Sequence, residues 1–220
     1  MADSTAVLTD KLLLELIKNL PAILWFLLAF VVVLLFYKPI RHELLPNLSG
    51  FKAMGVEFSF VKNSITKAIA LAEKSEQWQV TIPDEDEKRV LDRVKRHLPL
   101  FQDVRVLWID DNLDSLRNER KMLERLQVDI DLALNDAEAQ KFLRSGKYDL
   151  ILSDIARGND STAGLKFLQE YGKTKRRVPF IFYIGTLSPD KGVPAYAFGI
   201  TNRPDELLHL MLDALERVKV

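Results

Sequence analysis

Residues 104–109 of the chain read VRVLWI, and Asp110 and Asp111 follow directly. A short apolar run that is rich in branched and aromatic side chains predicts a buried β-strand. The stretch from Asp114 to Leu126 then predicts a helix, because its leucines recur at helical spacing. Further strands are predicted at 128–133, 150–153, 178–184 and 199–201, and further helices at 136–144, 164–171 and 204–218. The C-terminal half therefore alternates strand and helix.

This alternation, with unbroken apolar strands, implies a parallel sheet that is covered on both faces. The predicted fold class is α/β, with a doubly wound five-stranded parallel sheet over residues 101–220. Ligands bind such sheets at the carboxyl ends of the strands, where Asp110, Asp111 and Asp154 all fall. One such Asp is a common helix cap, but three on one edge predict a site that needs a divalent cation or an opposing Lys or Arg. Carboxylate oxygens of this kind suit Mg²⁺.

The sequence around these aspartates resembles the receiver domains of response regulators, the CheY-like family. The matching segments, in chain order, are 107–112 (LWIDDN), 150–154 (LILSD), 178–183 (VPFIFY) and 203–208 (RPDELL). The ordered set is more specific than any one of its members. The resemblance implies a flavodoxin-like fold and a role in phosphorelay signal transduction, as in two-component systems.

The resemblance also implies roles for the acidic residues. Asp154 occupies the position of the family's phosphoacceptor, so it would carry the phosphoryl group. Asp110 and Asp111 would hold Mg²⁺ together with Asp154. The backbone carbonyl of Ala156 would complete the metal site.

The sequence departs from the family where receivers change conformation. Ile184 stands where the family has Thr or Ser, and Thr186, two residues later, is the replacement hydroxyl. Arg203 stands where the family has Lys, which keeps the charge but changes its shape and reach. The segment between Gly185 and Gly199 is short and contains prolines, so the fourth helix of the family is predicted to be stunted.

An apolar run without a charged residue occupies residues 20–37. A helix rises about 1.5 Å per residue and the hydrocarbon core is about 30 Å thick, so this run predicts one transmembrane helix after an N-terminal flank of residues 1–19. Lys38 and Arg41 follow the run directly. The excess of positive charge on this side favours a cytoplasmic C-terminal domain and a single-pass topology.

Residues 38–100 are predicted to form a juxtamembrane linker of mixed α/β structure. Residues 55–60 alternate apolar and polar side chains, which predicts a short strand. Two amphipathic helices are predicted after it, the second beginning near Pro83 with acidic residues in its first turn. These helices either associate with a second copy of the chain or pack on the neighbouring domain.

The composition excludes several functional classes. Lys and Arg number 31, as do Asp and Glu, so the net charge of +0 argues against nucleic acid as a partner. The chain has no cysteine, which excludes disulfides, thiolate metal sites and cysteine nucleophiles. Neither a Gly-rich phosphate loop nor a Ser-His-Asp order is found, and the chain is not predicted to be an enzyme.

These patterns predict a membrane-anchored receiver-like protein that signals through an aspartate phosphoacceptor. Its partners would be the lipid bilayer, a histidine kinase or a membrane signalling protein, and a second copy of itself. One alternative is a degenerate receiver that serves as a non-catalytic scaffold at the membrane. Another is a membrane effector that is triggered through its soluble domain.

Overall fold

The computed structural model describes residues 18–21, 24–28, 30–31, 45–75, 78, 80–174, 178–188, 190 and 192–219. The chain divides into two compact units, Met1–Val56 and Glu57–Val220, and the second contains the sheet. The strands are β1 (Arg105–Ile109), β2 (Asp129–Ala133), β3 (Leu150–Ser153), β4 (Phe180–Tyr183) and β5 (Gly199–Thr201). The helices are α1 (Leu45–Lys74), α2 (Asp84–His97), α3 (Arg117–Arg125), α4 (Asp136–Ser145), α5 (Ala163–Gly172) and α6 (Pro204–Lys219), with a short 3₁₀ helix at Leu98–Phe101.

All five strands are parallel and lie in the order β2-β1-β3-β4-β5. This is the order of a doubly wound, flavodoxin-like sheet. The predicted five-stranded parallel α/β fold is therefore confirmed. In the described residues between β4 and β5 there is no α-helix, in agreement with the prediction from the prolines of that segment.

The two faces of the sheet are packed by different helices. On the first face, Trp108 of β1 and Tyr183 of β4 pack with apolar side chains of α1, α2, α3 and α6. On the second face, Leu107 of β1 and Phe182 of β4 pack with α4 and α5. Neighbouring residues of a strand point to opposite faces, so each buried strand must be apolar throughout.

Helices α1 and α2 contribute to the core of the second unit. Val61 and Ile65 of α1 and Val90 and Val94 of α2 are at most 1% exposed and belong to the same apolar cluster as Trp108. Packing on the neighbouring domain is thus confirmed for these helices. The compact unit begins at Glu57, whereas the sequence predicts a linker at 38–100 and a domain at 101–220.

The strand predicted at residues 55–60 is wrong, because these residues lie inside α1. Six residues of alternating polarity are too few to separate a strand from a helix. The residues that follow decide the matter. Val61, Ile65, Ala68, Ile69 and Ala72 are buried, and each has another member of the set three or four residues away, which places them along one side of a helix.

The predicted transmembrane segment is described only in part. Residues 22, 23, 29 and 32–37 of the run at 20–37 lie outside the described residues, as do residues 1–17. Among the residues that the structure does describe, no helix has the length and apolar character needed to cross a bilayer. The membrane anchor therefore stays a prediction to which the structure adds no support.

Candidate functional site

The carboxyl ends of β1 and β3 lie side by side, and the three aspartates follow them. Ile109, the last residue of β1, pairs with Ser153, the last residue of β3. The Asp154 N–H donates to the Ile109 carbonyl oxygen at 3.0 Å. Asp110 and Asp154, the first residues after these two strands, are consequently neighbours. Asp111 directly follows Asp110. We call these three residues the acidic edge.

Backbone N–H groups bind each carboxylate of the acidic edge. Oδ1 of Asp110 accepts from the Asn112 N–H at 2.7 Å. Oδ1 of Asp154 accepts from the N–H of the next residue, Ile155, also at 2.7 Å. Oδ2 of Asp111 accepts from the Gly158 N–H at 2.6 Å. The third bond fastens the loop after β3 to the end of β1.

Burial and mutual repulsion raise the pKa values of two members of the acidic edge, Asp110 and Asp154. Asp110 is 4% exposed, and this burial is the main cause that raises its pKa from 3.8 to about 7. The Asn112 N–H opposes the rise, while the negative charges of Asp154 and Asp111 add to it. The pKa of Asp154 is raised as well, mainly by burial, against the hydrogen bonds from Ile155 and Ala156.

A buried arginine provides the positive charge of the site. The Arg157 side chain is 4% exposed, and its charge lowers the pKa of both Asp110 and Asp154. Sequence reasoning missed this residue, because the resemblance covers Asp154 itself and then fails in the loop that follows. The available signal was a basic residue only three positions after Asp154.

Asp154 also lines a cavity of about 700 Å³ between the loops that follow β3 and β4. Thr186, the predicted hydroxyl, lines the same cavity as Asp154, the predicted acceptor. Ile184, directly after β4, is another wall residue and is 8% exposed. An apolar side chain thus stands at the strand end, and Thr186 belongs to the loop that follows it.

Arg203 is engaged elsewhere. Its Nη2 donates to Oδ2 of Asp86 in α2 at 2.8 Å and to Oδ2 of Asp205 in α6 at 2.6 Å. Its Nε donates to Oδ1 of Asp205 at 3.1 Å. Asp205 is 1% exposed, so this is a partly buried ion pair. The structure does not bring Arg203 to Asp154, contrary to the role implied by the resemblance.

Glycine is required where α5 approaches the acidic edge. A Cβ atom at Gly164 would lie 2.3 Å from the Asp154 carbonyl oxygen and 2.9 Å from the Phe182 ring. Backbone atoms cannot move away as a flexible side chain can. The Gly164 N–H uses this closeness to donate to the Ile155 carbonyl oxygen at 2.9 Å.

The donors of the acidic edge suit Mg²⁺ in chemical kind, since a hard cation prefers carboxylate oxygens and would offset their repulsion. In the described part of the chain, however, no three acidic, His or Cys side chains are grouped so that they could hold a metal ion. The Ala156 N–H hydrogen-bonds to the Asp154 carboxylate. The metal-binding role of the Ala156 carbonyl stays a prediction.

No protein-family model and no curated protein matches the sequence. Solved structures that are similar to the chain are response-regulator receiver domains. A two-component response regulator from Clostridium difficile is 24% identical over 52% of this chain and 96% of its own, with a TM-score of 0.44. The response regulator TrrA from Thermotoga maritima, solved in complex with Mg²⁺–BeF, is 25% identical over 50% and 98%, with a TM-score of 0.45. A Francisella receiver domain is 19% identical over 53% and 99%, with a TM-score of 0.46.

Proposed function

We propose that the chain is a receiver-type signalling protein and that Asp154 accepts a phosphoryl group in a phosphorelay. The observation that carries the proposal is the position of Asp154. Its carboxylate stands at the carboxyl end of β3, beside Asp110, and lines the cavity that also contains Thr186. A parallel sheet presents its ligands at this edge.

In the proposed reaction an oxygen of Asp154 attacks the phosphorus of a donor. A new bond forms between that oxygen and phosphorus as the bond from phosphorus to the leaving group breaks. Arg157 stabilises the ionised carboxylate, and the Thr186 hydroxyl is the donor available to the transferred phosphoryl oxygens. Mg²⁺, where bound, would be held by Asp110, Asp111, Asp154 and the Ala156 carbonyl and would add positive charge.

We expect the full-length chain to gain one phosphoryl group when it is incubated with acetyl phosphate, and intact-mass measurement with and without Mg²⁺ checks this. Asp154→Asn should abolish the gain because it removes the nucleophilic carboxylate. Asp149→Asn is the matched control, since Asp149 directly precedes β3 at the other end and accepts from the Arg105 N–H at 2.9 Å. Labelling that persists in Asp154→Asn would move the acceptor elsewhere.

A second candidate is a non-catalytic interaction module, and the pairing of Arg203 favours it. In this function the ion pairs of Arg203 with Asp86 and Asp205 hold α2 and α6 together permanently. The acidic edge would then serve to bind the loop after β3. A wild-type chain that never gains the phosphoryl mass, under conditions that label an ordinary receiver, would leave this second function standing.

We further propose that the chain acts at a membrane, anchored by residues 20–37, with the receiver-like unit in the cytoplasm. The partners proposed for it are a histidine kinase or another membrane signalling protein, and a second copy of the chain. The proposal rests on the uncharged run at 20–37, which is long enough to span.

For the anchor we expect the full-length chain to stay with the membrane fraction after washing with alkaline carbonate, as followed by immunoblotting. A chain that begins at residue 38 is the control, and it should be released. Release of the full-length chain by the same wash would remove the bilayer from the set of partners.

A further inference from the structure

The buried Arg157 side chain contacts residues of three secondary-structure elements. Nη1 donates to Oγ of Ser153 at 2.6 Å and to the carbonyl oxygen of Asp154 at 2.8 Å. Nη2 donates to the carboxylate of Asp136, at the start of α4. The guanidinium also lies over the Phe167 ring of α5, 5.9 Å from its centroid. One side chain therefore joins the end of β3 to the two helices on the second face of the sheet.

The loop that carries Arg157 is folded to hold it there. The N–H and carbonyl groups of Arg157 and Asp160 exchange two hydrogen bonds of 3.0 Å. Between them Gly158 has a φ of 57°, a conformation that glycine adopts without strain. The Gly158 N–H then reaches Asp111. The loop is therefore attached to the acidic edge twice, through the Arg157 side chain, which binds the Asp154 carbonyl oxygen, and through the Gly158 N–H, which binds Asp111.

A buried charge is tolerated only where other charges and hydrogen bonds compensate for its lost hydration. Arg157 has Asp136 as a direct partner, and the negative charges of Asp110 and Asp154 act on it from the acidic edge. The acidic edge likewise needs a nearby positive charge, because its carboxylates repel one another. Arg157 and the acidic edge thus compensate each other.

We infer that Arg157 is an internal cation of the acidic edge, which supplies in the chain itself the positive charge that a divalent ion would bring. It acts as a positioning residue, because it holds the Asp154 backbone and the loop without touching the reacting carboxylate oxygens. The inference deepens the proposed function, on whose site it rests. It does not depend on phosphoryl transfer, since it concerns the charge balance of the folded state.

The test uses the melting temperature of the full-length chain, in EDTA and in millimolar MgCl₂. We expect Arg157→Met to lower the Tm in EDTA by roughly 10 °C, because it leaves buried carboxylates without their counter-charge. MgCl₂ should raise the Tm of this variant more than that of the wild type. Arg125→Met, which removes an exposed arginine at the end of α3, is the control and should change neither value.

A double variant separates charge balance from simple loss of packing. Asp110→Asn removes one negative charge, so it should raise the Tm of Arg157→Met by more than it raises that of the wild type. Equal gains in the two backgrounds, or a MgCl₂ response equal to that of the wild type, would overturn the inference. If Arg157→Met does not fold, Arg157→Lys decides. The lysine variant should fold and keep the wild-type MgCl₂ response, and failure to do so would reject charge as the reason.

These outcomes are independent of the labelling experiment. A chain that is never labelled by acetyl phosphate can still show the coupling of Arg157 to Asp110, and the proposed function alone would then fail. If the chain is labelled but shows no coupling between Arg157 and Asp110, the proposed function stands and the inference about Arg157 fails.

Discussion

Asp110→Asn is expected to stabilise the folded chain by roughly 4 kcal/mol at pH 8, because it removes a buried carboxylate whose pKa is about 7. Burial is the largest cause of that raised pKa, and repulsion by Asp154 and Asp111 adds to it. Asparagine keeps the carbonyl oxygen that accepts from the Asn112 N–H and cannot become charged. The variant therefore keeps the hydrogen bond and loses the electrostatic cost.

The pH dependence of this gain has a defined sign. In the unfolded chain Asp110 ionises near 3.8, whereas in the folded chain it keeps its proton up to about pH 7. The raised pKa contributes stability that is fully present below 3.8 and is lost as pH rises through 7. The wild type and Asp110→Asn should therefore unfold with nearly equal free energies at pH 4, and they should differ most at pH 7 and above.

Urea unfolding of both chains across this pH range measures the difference. Asp129→Asn is the control, because Asp129 is exposed at the start of β2 and its replacement should change the free energy of unfolding very little. A gain from Asp110→Asn that is the same at pH 4 and pH 8 would refute an electrostatic cause. The same unfolding experiment in MgCl₂ is a further condition. A cation bound at the acidic edge would offset the charge of Asp110 and so reduce the stabilisation gained from Asp110→Asn.

Trp78→Ala is expected to destabilise the second unit by about 3–5 kcal/mol, the usual cost of removing a large buried aromatic side chain. Trp78 lies between α1 and α2 and is 6% exposed. Its ring lies 4.9 Å from that of Tyr183 in β4, and its carbonyl oxygen accepts from Asn202 at 3.4 Å. The Trp78 side chain therefore packs the segment that joins α1 and α2 against the sheet.

Urea unfolding at neutral pH, followed by circular dichroism, measures this loss. Phe60→Ala is the matched control, since it removes an aromatic ring of α1 that is 59% exposed. It should cost less than about 1 kcal/mol, as surface substitutions do. If both variants unfolded like the wild type, α1 and α2 would not belong to the folded core.

The sheet could be predicted from the sequence because its three inner strands, β1, β3 and β4, are buried on both faces and therefore form apolar runs. The Asp residues that follow β1 and β3 mark where the chain leaves the core. The amphipathic α2 was equally clear. The strand predicted at residues 55–60 was wrong because six residues carry too little periodicity, and the buried positions that follow, from Val61 to Ala72, place the segment in a helix.

The site was less predictable, because charge pairing depends on contacts between distant residues. Asp154 could be named from its place at the end of a strand, and Thr186 from the resemblance, as the hydroxyl next to Ile184. Both residues line one cavity. Arg203 forms an ion pair with Asp86, which is more than a hundred residues earlier in the chain, instead of contacting Asp154. The insertion of Arg157 depends on Asp136 and on the turn at Gly158. Neither contact has a periodic signal in the sequence.

The aromatic stack on the first face of the sheet also gives the molecule a built-in optical probe. Tyr183 lies between Trp78, 4.9 Å away, and Trp108, whose ring is 5.9 Å away at an interplanar angle of 81°. The chain has three tryptophans, so two of its three indole fluorophores sit on this one tyrosine. Their fluorescence emission reports whether α1 and α2 are packed on the sheet, so the unfolding of the native chain can be followed without an attached dye.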